Sequence, residues 1–318
     1  MPTDWSNERV LVTGGSGMIG ANLVARLIAL GSRPFVLARD PARGGRLTQH
    51  ADRIVPLPCD IADAAAVSDA VAAADLRVVF HLASSYFNPP DLPAASHMRI
   101  NALGAVNLCE AVKHIEGVRL VNANTCAIYA GGSRLTEDAA VEPQSMYGVT
   151  KAAAGSVMRH YGRGHGLSVI ELRLFTPFGP WESTRRLIPS TILSALAGRD
   201  MRIGDGRQQR DFVYMDDVVE ALLLAAGATA SGVAINIGGG VGRSIRDVAC
   251  RVLELMGDPV GLVVGNQPAR PDEIWEISAD IGAAERLLGW RPRVAFDDGL
   301  SRTIDWFRQN PAFAAAAA

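Results

Sequence analysis

Tyr147 and Lys151 stand four residues apart in Tyr147-Gly-Val-Thr-Lys151, a spacing that puts both side chains on one face of a helix. A phenol has a solution pKa of about 10 and is a poor base at neutral pH unless a nearby cation stabilises the phenolate. Lys151, one of only two lysines in the chain, is such a cation. Upstream, Asn124-Thr125 ends a run with strand character, where the Thr125 hydroxyl can hydrogen-bond an oxygen being oxidised or reduced. Thr125, Tyr147 and Lys151 are therefore the catalytic candidates, and proton transfer at a hydroxyl or carbonyl is their chemistry.

A second cluster reads as a binding element. Thr13-Gly-Gly-Ser-Gly-Met-Ile-Gly20 follows a β-branched run and opens a helical pattern. It contains Gly15-x-Gly17-x-x-Gly20 and a wider spacing from Gly14. Small residues let the backbone approach a pyrophosphate, which sits on the N–H groups and positive end of the helix. A lone glycine pattern can equally be a flexible turn; the strand before it and the helix after it select the dinucleotide reading. Gly14, Gly15, Ser16, Gly17, Met18, Ile19 and Gly20 are assigned to the cofactor on that ground. An oxidised nicotinamide ring would be a second cation beside Tyr147.

The end of the next strand, Val36-Leu-Ala-Arg-Asp40, bears on which dinucleotide binds. An acid there bonds the ribose hydroxyls of NAD, but Ala38 occupies that place. Arg39 follows, and a guanidinium matches a phosphate in charge and geometry. The plainer alternative is a solvated surface arginine. The expectation is NADP(H) in preference to NAD(H), with Arg43 and Arg46 either adding to the field or facing water.

The elements that must position these residues alternate regularly. Strand patterns occur at Arg9–Thr13, Arg33–Ala38, Val78–Leu82, Val118–Asn122 and Val169–Phe175. Helical spacing joins Ile19, Leu23, Leu27 and Leu30, and recurs over Asn101–Ile115 and Tyr147–Tyr161. This alternation predicts an α/β fold, a doubly wound parallel sheet with helices on both faces. After Thr176-Pro-Phe-Gly-Pro180 the texture changes, with a short helix at Pro189–Ala197 and a smaller lobe from Ser244 to about Trp275. The expected division is a dinucleotide-binding domain over 1–176, with 213–240 returning to it, and a smaller α/β lobe over most of 177–318.

Composition bounds the partners. Apolar residues make up 48% of 318 residues and the net charge is -2, a globular profile with no nucleic-acid or acidic-membrane signature. No apolar run approaches a membrane span, and Met1–Arg9 has no signal-peptide core, so a cytoplasmic location is expected. Cys59, Cys109, Cys126 and Cys250 lack metal-ligand spacing, the six histidines show none either, and no metal site is assigned. Cys126, beside Thr125, reads as a buried, inert thiol before it reads as a nucleophile. Asp216-Asp217 reads as negative charge at a helix N-terminus.

Taken in order, these motifs resemble the extended short-chain dehydrogenases/reductases that act on nucleotide sugars, from about Val10 to Phe307. Thr13–Gly20 is similar to the family's glycine loop, Cys59-Asp60-Ile61 to its adenine-contacting segment and His81-Leu-Ala-Ser84 to the strand end bordering the nicotinamide ribose. Asn101-x-x-Gly104-x-x-Asn107 resembles its helix-opening motif, and Thr125, Tyr147 and Lys151 fall on its catalytic positions. Leu172–Pro180, Arg210–Val218, Arg270–Glu273 and Leu287–Pro292 also match. The resemblance implies a Rossmann fold with a smaller substrate-binding lobe. It assigns Arg39, Asp60, Ile61, Leu82, Ala83, Ser84, Asn101, Phe175 and Pro177 to the cofactor, beside Tyr147 and Lys151. It assigns Ser85, Thr125, Thr176, Arg210 and Arg270 to a nucleoside-diphosphate sugar, the two arginines clamping the diphosphate. A homodimer packed through Asn101–Ile115 and Tyr147–Tyr161 is a further implication.

Two positions depart from the family pattern. The 4,6-dehydratases of this family carry Asp-Glu directly after the catalytic threonine, where this chain has Cys126-Ala127. The asparagine before the substrate lobe is Thr176. The expected activity is an NADPH-dependent 4-ketosugar reductase, with an NAD-dependent 4-epimerase as the alternative. A non-catalytic dinucleotide sensor would not need the Tyr-Lys pair, and a reductase of small aromatic or steroid ketones would not need Arg210 and Arg270.

Overall fold

A computed structural model of the chain describes residues 4–41, 45–85, 92–265 and 273–316. In chain order it contains β1 (Val10–Thr13), α1 (Met18–Ala29), β2 (Phe35–Ala38), β3 (Val55–Pro58), α2 (Ala64–Ala72) and β4 (Val78–His81). Next come α3 (Ala94–His97), a π-helical turn (Met98–Leu103), α4 (Gly104–Val112), β5 (Arg119–Thr125), β6 (Gly132–Leu135), α5 (Met146–His165) and β7 (Ser168–Leu174). The remainder is β8 (Thr176–Phe178), α6 (Leu187–Leu196), β9 (Met201–Ile203), β10 (Gln209–Tyr214), α7 (Met215–Gly227), β11 (Val233–Ile237) and β12 (Gly242–Ser244). It continues with α8 (Ile245–Leu255), β13 (Leu262–Val264), β14 (Glu276–Ala279), α9 (Gly282–Leu288), α10 (Phe296–Gln309) and α11 (Pro311–Ala316).

Seven strands form one parallel sheet in the order β3-β2-β1-β4-β5-β7-β11. Every residue of β1 and β4 is buried, which a parallel sheet achieves only with helices on both faces. Side chains of α1 and α7 pack on one face, and those of α2, α4 and α5 on the other. This is the expected α/β architecture of Rossmann type.

A second sheet runs β12-β10-β14-β6, with β8 alongside β10, and β9 pairs with β13. The chain crosses between the two sheets repeatedly. β6 follows β5 of the central sheet yet pairs with β14, while β11 closes the central sheet next to β7. Ala284, Leu288 and Trp290 also pack into the core that holds α7. Trp290 Nε1 donates to the Asp217 carbonyl at 2.9 Å. The Asp217 carboxylate accepts the Arg293 and Val294 amides at 2.9 and 3.1 Å, so this acid ties down backbone at a helix start.

Three sequence expectations shift at their edges. The stretch expected to return from 213 opens on β10, which Val213 and Tyr214 complete, before α7 begins at Met215. The helix expected over Asn101–Ile115 opens as the π-helical turn and ends at Val112. The Val118–Asn122 pattern lengthens into β5, which ends at Thr125 as the Asn124-Thr125 run suggests, because β7 stays paired with it throughout.

The segment leaving β8 carries a strained and a buried polar residue side by side. Trp181 has φ +65°, rare for a bulky side chain. Glu182 is buried, with Oε1 3.5 Å from Arg186 Nε and Oε2 without a hydrogen-bond partner among the described residues. Burial pushes its pKa from 4.5 up to about 7, outweighing Arg186. A carboxyl raised on folding binds more protons folded than unfolded, so its stabilising contribution is full below about pH 4.5 and is lost as pH rises through 7. Glu182→Gln should thus be more stable than the parent at pH 8, by about 3 kcal/mol at most, and gain nothing at pH 4.5. Thermal denaturation at the two pH values checks this; equal midpoint changes at both would count against it.

Candidate functional site

The chain leaves β1 toward β2 and returns on its other side as β4, so a crevice opens beyond the ends of these neighbours. The glycine loop fills its edge, and its glycines do different work. Gly14 has φ +70°, and a Cβ there would lie 2.7 Å from the Ala83 backbone, so Gly14 lets the ends of β1 and β4 touch. At Gly15 a Cβ would meet Val36 at 2.6 Å, and at Gly20 it would meet the Gly14 carbonyl at 2.4 Å. These two permit helix-on-strand packing.

Gly17 is the N-cap of α1 and no side chain caps that helix. Its first-turn amides, from Met18 onward, have no intrahelical acceptors, and together with the helix dipole they suit an anion. An uncapped helix start behind a close-packed glycine loop fits a dinucleotide pyrophosphate. Gly14–Gly20 would hold it there, with Leu82, Ala83 and Ser84 across the crevice.

Arg46 takes a role different from the one expected of the loop after β2. Its Nη1 donates to the Ser16 carbonyl at 3.2 Å and its Nη2 to the Trp181 carbonyl at 3.3 Å. The guanidinium lies 5.3 Å from the Phe313 ring, and burial lowers its pKa. Arg46 therefore stitches the glycine loop to the segment leaving β8. Asn22 does the same, donating to Met18 and Pro180 carbonyls at 2.9 and 3.1 Å. Arg39 is exposed. Arg43 lies outside the described residues, as does Arg270.

At the far end of the crevice, Asp60 accepts the Ala62 amide at 3.0 Å and faces Arg99 at 3.4 Å. Ile61 is buried, and its carbonyl accepts Asn107 Nδ2 at 3.0 Å. Gly104 explains the spacing of the Asn101–Asn107 motif, since a Cβ there would press on Ile61 at 3.0 Å.

Tyr147 and Lys151 lie on the first two turns of α5, which Ser145 caps by accepting the Gly148 amide at 3.1 Å. A Cβ at Gly148 would sit 2.2 Å from the Ala127 carbonyl, so this glycine seats the turn carrying Tyr147 against the turn following Thr125. Lys151 is 2% exposed, and its Nζ donates to the Ala123 carbonyl of β5 at 2.7 Å. Asn124 Nδ2 donates to the Lys151 carbonyl at 3.1 Å, fixing helix to strand from the other side. Burial pushes the Lys151 pKa down to about 8, against the opposing pull of Glu171. Tyr147 is half-buried, and its carbonyl accepts the Thr150 hydroxyl at 3.0 Å. The Thr125 hydroxyl accepts the Ala127 amide at 3.2 Å at the end of β5.

Asn101 straps this assembly to β4. Its Nδ2 donates to Thr150 Oγ1 at 2.8 Å, while its Oδ1 accepts the Ser85 amide at 2.8 Å and the Ser84 hydroxyl at 3.1 Å. It sits in the π-helical turn, a local irregularity that aims one side chain at two elements. Ser85 Oγ also pairs with His97 Nδ1 at 2.8 Å.

On the second-lobe side, Thr176 is buried on β8, and Phe175, just before it, packs on Tyr129. Pro177 is half-buried and pairs with Val213. Arg210 donates to the Ile274 carbonyl at 2.6 Å and to Glu273 at 2.7 Å, so its guanidinium is held in place by protein acceptors. Cys126 is buried, and burial pushes its thiol up to about 12 despite the charges of Arg210 and Arg186. That is an inert thiol. Among the described residues no group of three His, Cys, Asp or Glu is arranged to hold a metal, and no helix is long and apolar enough to cross a membrane.

Sequence reasoning did not single out Arg46 as a tie, Glu171, or His81 as a partner of Thr13. For Thr13 and His81 the usable signal is a polar residue closing an otherwise apolar strand.

The chain matches a family model described as the NAD dependent epimerase/dehydratase family over residues 10–238. It is 30% identical to a dTDP-glucose 4,6-dehydratase of Streptomyces niveus, covering 96% of this chain and 94% of that one. It is likewise 30% identical to a UDP-glucose 4-epimerase of Mycolicibacterium smegmatis, over 95% and 99% of the two chains. Among solved structures it resembles a UDP-glucose 4-epimerase of Thermotoga maritima with UDP-glucose, at TM-score 0.87 and 26% identity over 95% and 99% of the chains. A dTDP-glucose 4,6-dehydratase of Streptomyces venezuelae with NAD bound gives TM-score 0.84 and 29% identity over 96% and 98%. Family match, relatives and glycine loop agree: the chain belongs to the NAD dependent epimerase/dehydratase family, among the extended short-chain dehydrogenases/reductases that its motifs resemble.

Proposed function

We propose that this enzyme is an NAD-dependent 4-epimerase of a nucleoside-diphosphate sugar. The observation that carries the reading is the buried Lys151 ammonium one helical turn from Tyr147, with Thr125 across the turn that Gly148 packs against. Tyr147 takes the proton of the sugar C4 hydroxyl and later returns it. Lys151 lowers the cost of the phenolate, and Thr125 hydrogen-bonds the same oxygen. Held at Gly14–Gly20, NAD would supply reversible hydride transfer at the sugar carbon, with return to the opposite face, so no net reductant would be consumed. Arg210 would hold the diphosphate with Arg270.

A 4,6-dehydratase is the second reading, favoured by relatives of that name at the same identity. It also requires an acid and a base to remove water, and Cys126-Ala127 supply neither, since the buried thiol keeps its proton up to about pH 12. An NADPH-dependent reductase, expected from Arg39, finds less support: a structural neighbour binds NAD, and Arg46 is occupied by carbonyls of Ser16 and Trp181.

Tyr147→Phe should keep cofactor binding and lose turnover by about 10²–10⁴-fold. The assay is NMR of UDP-glucose and dTDP-glucose incubated with enzyme and NAD. Epimerisation at C4 is expected; a 4-keto-6-deoxy product would establish the dehydratase instead, and unchanged activity of the variant would remove the mechanism.

NAD should bind more tightly than NADP, because Arg46 is turned to the Ser16 and Trp181 carbonyls and does not join Arg39 in meeting a 2′-phosphate. Calorimetric titration of both cofactors decides, and a tenfold preference for NADP would restore the reductase.

The homodimer is a proposal of the same kind. Met98 and Leu103 in the π-helical turn and Met146 and Val149 on α5 are exposed apolar residues on two packed elements. Leu103→Glu should convert a dimer to a monomer in light scattering; a monomeric parent would contradict the proposal.

A further inference from the structure

The registers of the central sheet align residues in transverse rows. Leu11, Val79, Leu120 and Val169 form one such row, apolar and packed in the core with α2, α4 and α5. Two residues further along each strand, and so on the same face, stand Thr13, His81, Asn122 and Glu171, again in register. All four are buried, at 0%, 1%, 0% and 1% exposure.

A polar row in a core is costly unless its members find partners. Thr13 Oγ1 accepts the Ala83 amide at 3.2 Å and pairs with His81 Nδ1 at 2.9 Å. Glu171 accepts Arg159 at 2.8 Å and Arg173 at 2.9 Å. Asn122 lies between His81 and Glu171, and neither its amide nitrogen nor its oxygen has a hydrogen-bond partner among the described residues. The helix over this end of the row is α5. Gly155 makes room there, since a Cβ would fall 2.3 Å from Glu171 Oε2. Lys151 is one turn earlier.

We propose that the row Thr13–His81–Asn122–Glu171 is a positioning floor for Lys151, keeping its ammonium charged and seated over the strand ends and acting on the reaction only through it. This rests on the role of Lys151 beside Tyr147 given above. The titratable and charged groups around Lys151 are Tyr147 on its own helix, His81 on β4, and Glu171 on β7 with Arg159 and Arg173. The facing residues Asn122, Asn124 and Asn101 carry no charge. Glu171 raises the Lys151 pKa against burial. His81, held down to about 3 by burial and by Lys151 itself, stays neutral and adds no repulsion. A hydrocarbon floor would leave the ammonium with the Ala123 carbonyl and little else.

The two lysines of the chain make a direct test possible. With ¹³Cε-lysine labelling, Lys113, ion-paired to Glu110, is the internal control and Lys151 the reporter. Glu171→Gln should lower the Lys151 titration midpoint by about half a unit or more, since a like-sized neutral group removes one nearby charge. The alkaline limb of kcat/KM should move down with it. Asn122→Leu, of similar volume without the amide, should shift the midpoint in the same direction, and it carries the test if Glu171→Gln does not fold. A parental Lys151 midpoint in the folded variants would overturn the floor. A midpoint that moves while the kcat/KM profile stays in place would support the floor and overturn the catalytic reading of Lys151 instead.

Discussion

An ammonium taken out of water needs compensation from fixed groups, and the bond from Lys151 Nζ to the Ala123 carbonyl is where this structure supplies it first. That one contact dictates how α5 lies on the sheet. The helix must come close enough for its lysine to reach backbone, so glycines stand where it presses: Gly148 on the Ala127 carbonyl and Gly155 on Glu171. Asn124 and Asn101 then lock the approach, one from β5 and one from the π-helical turn. A helix held so closely puts Tyr147, one turn before Lys151, at a defined place.

The crevice depends on a second closeness. Gly14 brings the ends of β1 and β4 together, and the uncapped start of α1 faces the gap they leave. What enters the crevice must also meet the second lobe, and buried ties join the two. Arg46 and Asn22 reach the segment leaving β8 from the cofactor side. Asp211, fully buried on β10, accepts the amides of Gly239, Gly240 and Ala279 at 2.5, 3.0 and 2.9 Å. It thereby binds the loop after β11 to β10 and β14. Burial raises its pKa to about 6 against the pull of these amides. The glycine loop is thus tied to the segment leaving β8 by guanidinium-to-carbonyl bonds, and the second sheet to the loop after β11 by amide-to-carboxylate bonds.

The placement of Tyr147 and Lys151 on one helix, the glycine loop and the alternation of strand and helix were legible because each is a local pattern. A four-residue spacing places Tyr147 and Lys151 on one face whatever lies around them, and apolar runs bounded by glycine declare parallel strands wherever they pair. Asp216 and Asp217 do lie in the first turn of α7, where negative charge is favoured, but the amides that Asp217 binds, Arg293 and Val294, come from far along the chain. The fate of Arg46 was not legible. Its partners, Ser16 and Trp181, lie 30 and 135 residues away, and nothing in a loop arginine announces which carbonyls it will meet.

Residue types and short-range periodicity, then, determined the α/β architecture, the close-packed glycine loop and the shared helix face of Tyr147 and Lys151. Only the tertiary structure decided the electrostatic state of Lys151. Burial, Glu171 and the Ala123 carbonyl set it, and these are brought to the lysine by strand register and helix docking. Register aligns Thr13, His81, Asn122 and Glu171 across four strands from positions scattered along the chain. A pKa responds to every group within several ångströms, and distance in space has no counterpart in distance along the sequence.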